Sequence, residues 1–118
     1  MQDGLTKSSD VVGLHLTGRD GVRLGTVREI FVDLISGLIE FLIVEPTGGL
    51  LGGSGKYHPI PWEVVRFDGI GRCFQAEISK DELKGAPSYD REQLANESYA
   101  WPELADRYFS VSRQAKPK

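Results

Sequence analysis

The chain has 118 residues, of which 14 are basic and 17 acidic, and its formal net charge at pH 7 is −3. This length suits one domain with its own hydrophobic core, and the basic residues are spread along the chain without the block typical of a nucleic-acid surface. The single cysteine, Cys73, excludes an internal disulfide, as expected for a reducing cytoplasmic compartment.

The N-terminal residues 1–10 have neither the basic start nor the apolar stretch of a secretory signal. We therefore expect no signal peptide, and we assign residues 1–10 to a flexible N-terminal tail. The most apolar segment of the chain, Leu38 to Val44, contains Glu40 and is far shorter than the roughly 20 residues that cross a bilayer. The sequence predicts no membrane span.

Residues 11–78 have the pattern of short strands joined by glycine turns. Apolar residues alternate with period two in 11–17, 22–34 and 38–45, and shorter candidates follow at 57–60, 63–67 and 72–78. Such closely spaced strands favour a mainly β fold, a small antiparallel barrel of five to six strands, because closure removes exposed sheet edges.

Five residues have expected structural roles in this barrel. Gly21 and Gly37 stand in the turns that separate the first three strands. Gly25 lies inside the second strand, where it indicates a bulge or a sharp bend. Pro61 and Trp62 are expected to plug the barrel, with Trp62 half buried.

The third strand is apolar on both faces. Ile39, Phe41 and Ile43 are expected on one face, and Leu42 and Val44 on the other. Phe31, on the second strand, falls opposite the face of Ile30, Val32 and Leu34. Both faces of the third strand need a covering layer.

Residues 79–112 predict a helical C-terminal extension, followed by a basic tail at 113–118. Ser79 with Glu82 forms a capping box, and Asp90 with Gln93 starts a second short helix through about Glu97. A third helix begins near Trp101, with Pro102 in its first turn. Its apolar stripe, which needs a partner and could pack on the outer face of the third strand, consists of Trp101, Leu104, Ala105 and Tyr108.

Reactive chemistry is poorly represented in the sequence. The glycine-rich loop 47–56 fails the P-loop pattern, because Leu50 and Tyr57 occupy the positions that require Gly and Ser or Thr. His15, His58 and Cys73 do not have the spacings of a zinc site. We expect no catalytic residue, no metal and no cofactor.

The acidic residues of the second and third strands are the candidates for an acid/base pair. Glu29, Asp33, Glu40 and Glu45 lie on neighbouring strands and could approach one another. Solvated charges at a sheet edge explain them more simply.

Turn glycines and short motifs of the first half form a recognisable set: Val12-Gly13, Asp20-Gly21, Gly25, Val27, Asp33, Gly37 and Ile60-Pro61-Trp62. Together they resemble the PRC-barrel family, which includes the cytoplasmic part of photosynthetic reaction-centre H subunits and the C-terminal domain of a ribosome maturation factor. The resemblance covers Val11 to Ile78 well and Leu83 to Asp90 more loosely. It implies a freestanding bacterial protein-binding or assembly module, with no catalytic residues to carry over.

The leading functional hypothesis is a non-enzymatic protein-binding module that self-associates as a homodimer. The predicted interface is the outer face of the third strand with the helix beside it: Phe31, Phe41, Ile43 and Trp101. If the C-terminal helices cover that face, the interface lies elsewhere. The alternatives are an accessory factor that acts on a ribosome or RNA-processing assembly through a ribosomal protein, without direct nucleic-acid contact, and a small ligand-binding or hydrolytic barrel.

Overall fold

The curled sheet of this protein contains six strands in the order β4-β3-β2-β1-β6-β5. The computed structural model describes residues 5–47, 55–96 and 100–114. The predictions for the glycine-rich loop at 48–54 and for the tail at 115–118 lie outside the described residues. The strands are β1 His15–Thr17, β2 Arg23–Asp33, β3 Leu38–Pro46, β4 His58–Pro61, β5 Val65–Asp68 and β6 Cys73–Ala76.

Four α-helices and one 3₁₀ turn accompany the described part of the sheet. The helices are α1 Ser8–Val11, α2 Lys80–Gly85, α3 Arg91–Leu94 and α4 Trp101–Gln114, and the 3₁₀ turn is Trp62–Val64. The predicted mainly β fold with a helical C-terminal extension is therefore confirmed.

The sheet is mixed and closes only half of a barrel. β1 pairs with β6 in parallel, with Leu16 opposite Phe74, whereas the other neighbouring strands are antiparallel. β4 and β5 are the two edge strands, and the chain passes between them through the 3₁₀ turn. The all-antiparallel arrangement predicted from the sequence is wrong at the β1–β6 pair, because nothing local to either strand specifies a partner that is 58 residues away, as Phe74 is from Leu16.

The first strand is shorter than its alternating pattern indicates. A helical turn at Ser8–Val11 precedes it, and Gly13 has a φ of 102°. Val11 is buried at the end of this turn, while Val12 is exposed. The chain reaches extended pairing only at His15.

β2 and β3 form the longest hairpin, and its pairing is interrupted by bulges. The register shifts between Val27 and Glu29 and again between Phe31 and Val32. At the second shift Phe41 lies opposite Phe31 and Ile39 opposite Val32, which leaves Glu40 as the extra residue. Ile39 therefore packs against the barrel interior instead of lying beside Phe41 as predicted, since a bulge reverses the alternation of faces.

Two apolar clusters lie on the two faces of the sheet. The inner cluster fills the curl, and the outer cluster lies between β3 and the C-terminal helices. The inner cluster contains Leu16, Leu24, Val27, Leu42, Val44, Ile60, Phe74, Ile78 and Phe109, among others. The outer cluster contains Phe41, Ile43, Tyr89, Leu94, Trp101 and Ala105.

Both predicted helix starts in 79–96 are confirmed with reciprocal capping. The Ser79 hydroxyl accepts from the Glu82 N–H at 3.0 Å, and the Glu82 carboxylate accepts from the Ser79 N–H at 2.9 Å. Asp90 and Gln93 repeat this arrangement at 2.8 and 2.9 Å. α3 ends at Leu94, earlier than predicted.

The buried stripe of α4 differs from the predicted one. Trp101 and Ala105 are buried as expected. Leu104 is 42% exposed, and the third buried residue of the stripe is Phe109. The spacing of Trp101, Ala105 and Phe109 is a strict i, i+4, i+8 series. Through Phe109, the helix also reaches the inner cluster.

Candidate interaction surface

The residues predicted as a protein interface lie inside the molecule. Phe41, Ile43 and Trp101 are 5%, 0% and 4% exposed, and Phe31 is partly buried. The Trp101 ring packs edge-on against Phe31 and Phe41, with ring centroids 5.0 Å apart in both pairs. Its indole N–H donates to the Leu94 carbonyl at 2.9 Å.

α4 therefore covers the outer face of β3, which is the alternative that the sequence left open. The same contact removes Phe41, Ile43 and Trp101 from the accessible surface. The predicted interface must be revised, because an internal helix of the same chain already occupies it.

A different apolar surface is fully accessible at the tip of the β2–β3 hairpin. Leu34 and Ile35 are 92% and 99% exposed. Val32 and Leu38, which flank them on the two strands, are also exposed. We call Val32, Leu34, Ile35 and Leu38 the hairpin tip.

The turn that carries the hairpin tip is held by hydrogen bonds. The Gly37 N–H donates to the Asp33 carbonyl at 2.7 Å, and the Ile35 N–H donates to the Asp33 carboxylate at 2.9 Å. Gly37 has a φ of 78°, a conformation that glycine adopts without strain. Leu34 and Ile35 are thus presented to solvent by an ordered turn.

The region of the expected barrel plug carries a second group of aromatic rings. Pro61 is buried, and Trp62 is partly exposed at the start of the 3₁₀ turn. Trp62 and Phe67 each pack edge-on against Phe74, with centroids 5.9 and 5.5 Å apart. These rings pack against one another within the chain, so they leave less apolar surface exposed than the hairpin tip does.

The titratable groups of the described residues do not converge on a reactive site. No group of three or more His, Cys, Asp and Glu side chains suited to a metal occurs among the residues that the structure describes. Glu45 pairs with Arg28 at 2.7 Å. A shallow depression of about 200 Å³ lies beside β5 and β6, lined by residues that include Glu63, Arg66 and Glu77.

His58 is buried in β4 and has a structural contact. Its Nδ1 lies 3.0 Å from the Pro87 carbonyl, which fits a neutral ring that donates from Nδ1. Burial lowers the pKa of His58, and the hydrogen bond to Pro87 offsets part of that effect. This hydrogen bond attaches the segment before α3 to strand β4.

A family model for the PRC-barrel domain matches residues 4–83 of the chain. The chain belongs to the PRC-barrel family. PRC-barrel domains mediate protein interactions and are generally not catalytic. The comparison with curated proteins found no match. In the part of the chain that the structure describes, no helix is both long and apolar enough to cross a membrane.

The sequence pattern does not predict the hairpin tip, because Leu34 continues the period-two alternation of the second strand. Leu34 and Ile35 occupy a turn next to Ser36 and Gly37, where polar residues are usual. Two adjacent apolar residues between Asp33 and Ser36 were the available signal. Since Leu34 and Ile35 are almost fully exposed in this turn, their apolar side chains do not stabilise the fold by burial.

Proposed function

We propose that this PRC-barrel protein is a non-enzymatic protein-binding module and that the hairpin tip is its contact surface. The observation that supports this is the near-complete exposure of Leu34 and Ile35 in an ordered turn. Large apolar side chains grouped at one exposed point are typical of interaction sites. The family's role in protein interactions agrees with this assignment.

The hairpin tip has apolar surface that a bound partner would remove from water. Burying one Leu or Ile side chain contributes roughly 1.5–3 kcal/mol. Leu34 and Ile35 have almost all of that contribution still available. Because hydrogen bonds already hold the turn, binding loses little backbone conformational entropy at these residues.

Self-association was expected from the sequence on the basis of the third strand. Since α4 covers that strand, the proposed binding function depends on the hairpin tip and no longer on Phe41 or Ile43. Light scattering on the purified protein measures its molar mass, and therefore whether two copies associate.

The test is a double variant, Leu34→Ser/Ile35→Ser, compared with the wild type in affinity capture from the native cell. We expect the variant to retain its stability within about 0.5 kcal/mol, since both side chains are exposed. Proteins retained by the wild type should fall by about tenfold or more, as is usual for loss of a central contact. Quantitative mass spectrometry of the captured proteins provides the measurement.

The matched control is Val22→Ser/Ile70→Ser. Val22 and Ile70 are also exposed apolar residues, but they lie in the β1–β2 and β5–β6 connections. This control should capture the same proteins as the wild type. Equal capture by the hairpin variant and the wild type would show that the hairpin tip is not the contact surface.

A further inference from the structure

The charges around the hairpin tip indicate what kind of surface it fits. The sequence has no lysine, arginine or histidine between Arg28 and Lys56, while it has four carboxylates in that interval: Glu29, Asp33, Glu40 and Glu45. The part of β2 after Arg28, the turn and all of β3 lie in this interval. Along the chain, the charged residues nearest to the tip on both sides are therefore carboxylates.

Two of these carboxylates flank the apolar tip directly. Asp33 is the last residue of β2, next to Leu34, and Glu40 is the bulged residue opposite Phe31 and Val32. Both side chains are exposed. Among the described residues, no salt bridge involves Asp33 or Glu40, whereas Glu45 is paired with Arg28 at 2.7 Å.

We propose, on the basis of the protein-binding function above, that the partner is a different protein whose apolar contact surface is flanked by lysine or arginine side chains. An apolar tip with an acidic border is complementary to such a surface, because opposite charges at the rim steer association and exclude other partners. The apolar side chains contribute affinity, and Asp33 and Glu40 determine which partner is accepted.

The same charges disfavour two other occupants. A two-fold contact between hairpin tips of two copies would bring Asp33 and Glu40 of both copies together, and like charges at an interface are repulsive. An anionic membrane surface attracts basic segments and repels acidic ones. Self-association through the tip and binding to anionic lipid are therefore outcomes that would overturn the proposal.

Two synthetic amphipathic helical peptides serve as the probes. They have equal length and the same leucine face, flanked by lysine in one peptide and by glutamate in the other. Fluorescence anisotropy of each labelled peptide, titrated with the full chain at low salt, measures binding. We expect the lysine peptide to bind more tightly than the glutamate peptide, with the difference decreasing at about 0.5 M salt.

The variant that tests the rim is Asp33→Asn/Glu40→Gln. It removes both charges and keeps the Asx acceptor for the Ile35 N–H. We expect it to bind the lysine peptide about three- to tenfold more weakly, the effect of two rim charges at low salt.

The matched control, Asp20→Asn/Asp81→Asn, removes the same net charge from the opposite end of β2. Asp20 lies in the β1–β2 turn, and Asp81 lies in α2, which Arg19 joins to that turn by an ion pair with Glu82 at 2.7 Å. This control should bind the lysine peptide within about twofold of the wild type.

The outcomes separate the partner proposal from the proposed function. Loss of lysine-peptide binding in Leu34→Ser/Ile35→Ser supports the hairpin tip as the contact surface, and unchanged binding in that variant overturns the proposed function. Equal binding of both peptides, or equal loss in the rim variant and its control, overturns the partner proposal alone. A dimer in light scattering that the hairpin variant dissociates, or tip-dependent binding to vesicles containing phosphatidylglycerol, would also overturn it.

Discussion

At the scale of single residues, Gly25 shows how one position shapes the sheet. The pairing of β1 with β2 contains a bulge next to Gly25. Leu16 pairs with Gly25 and Thr17 pairs with Arg23, which leaves Leu24 as the extra residue on β2. A Cβ atom at Gly25 would lie 2.4 Å from the Glu45 carbonyl oxygen and 2.5 Å from Val44 Cγ1. β2 and β3 can approach this closely only because residue 25 has no side chain.

Gly25→Ala should therefore destabilise the protein by about 2–3 kcal/mol, the usual cost of forcing a methyl group into a packed region. Urea denaturation measures the change in free energy of unfolding. Gly69→Ala is the control, because the nearest atom to its added Cβ is Phe67 Cε2 at 4.0 Å. The control should change the free energy of unfolding by less than about 0.5 kcal/mol. An equally small effect of Gly25→Ala would show that the two strands leave room for a methyl group at position 25.

At the scale of secondary-structure elements, α4 completes the domain. Its first residue, Trp101, contacts rings from β2 and β3 and donates a hydrogen bond to the end of α3. Phe109, two turns later, is buried in the inner cluster. α4 thus joins both apolar clusters, although it lies beyond the residues matched by the family model.

Trp101→Ala should cost about 3–5 kcal/mol of stability, since it leaves a large cavity over Phe41. Trp101→Phe keeps an aromatic ring but loses the indole N–H, and we expect it to cost about 1–2 kcal/mol. Denaturation curves give both values, and binding of a hydrophobic dye reports exposure of the β3 face.

Leu104→Ala on the same helix is the control for Trp101. Leu104 is exposed, so its truncation should cost less than about 1 kcal/mol. Equal losses at positions 101 and 104 would show that α4 does not pack as described.

At the scale of the whole molecule, one sheet has an apolar cluster on each face, and His58 connects the sheet to the helical extension. It lies in β4, and its ring holds Pro87, in the segment between α2 and α3. The neighbouring residues Tyr57 and Tyr89 form an antiparallel bridge, with N–H to carbonyl distances of 2.8 and 2.9 Å. The helical extension is thereby attached to the edge of the sheet.

Stability should depend on pH through His58. Burial lowers its folded-state pKa below the usual value of 6.5, so below that pH the unfolded chain binds a proton that the folded chain does not. The free energy of unfolding should therefore decrease as the pH falls through 6.5 toward the folded pKa, with a slope of at most about 1.4 kcal/mol per pH unit from this group.

His58→Asn keeps a donor near the Pro87 carbonyl and should remove this component of the pH dependence. Urea denaturation between about pH 5 and pH 8 measures it. His15→Asn should leave the component in place, because His58 is still present. An unchanged slope in His58→Asn would show that another group is responsible.

The sequence by itself determined the features that depend on neighbouring residues. The β character, the turns at Gly21 and Gly37 and the capping boxes of Ser79 and Asp90 follow from local periodicity and local hydrogen bonding. The family resemblance was visible for the same reason, since its motifs are turn glycines and short runs.

Only the tertiary structure decided which apolar residues remain exposed. Phe41 and Leu34 have similar local patterns, but α4 covers Phe41 and nothing in the described chain covers Leu34. The parallel β1–β6 pair and the bulge at Glu40 were likewise settled by distant partners. Burial depends on contacts between segments far apart in the chain, and a periodic pattern contains no information about which segments meet.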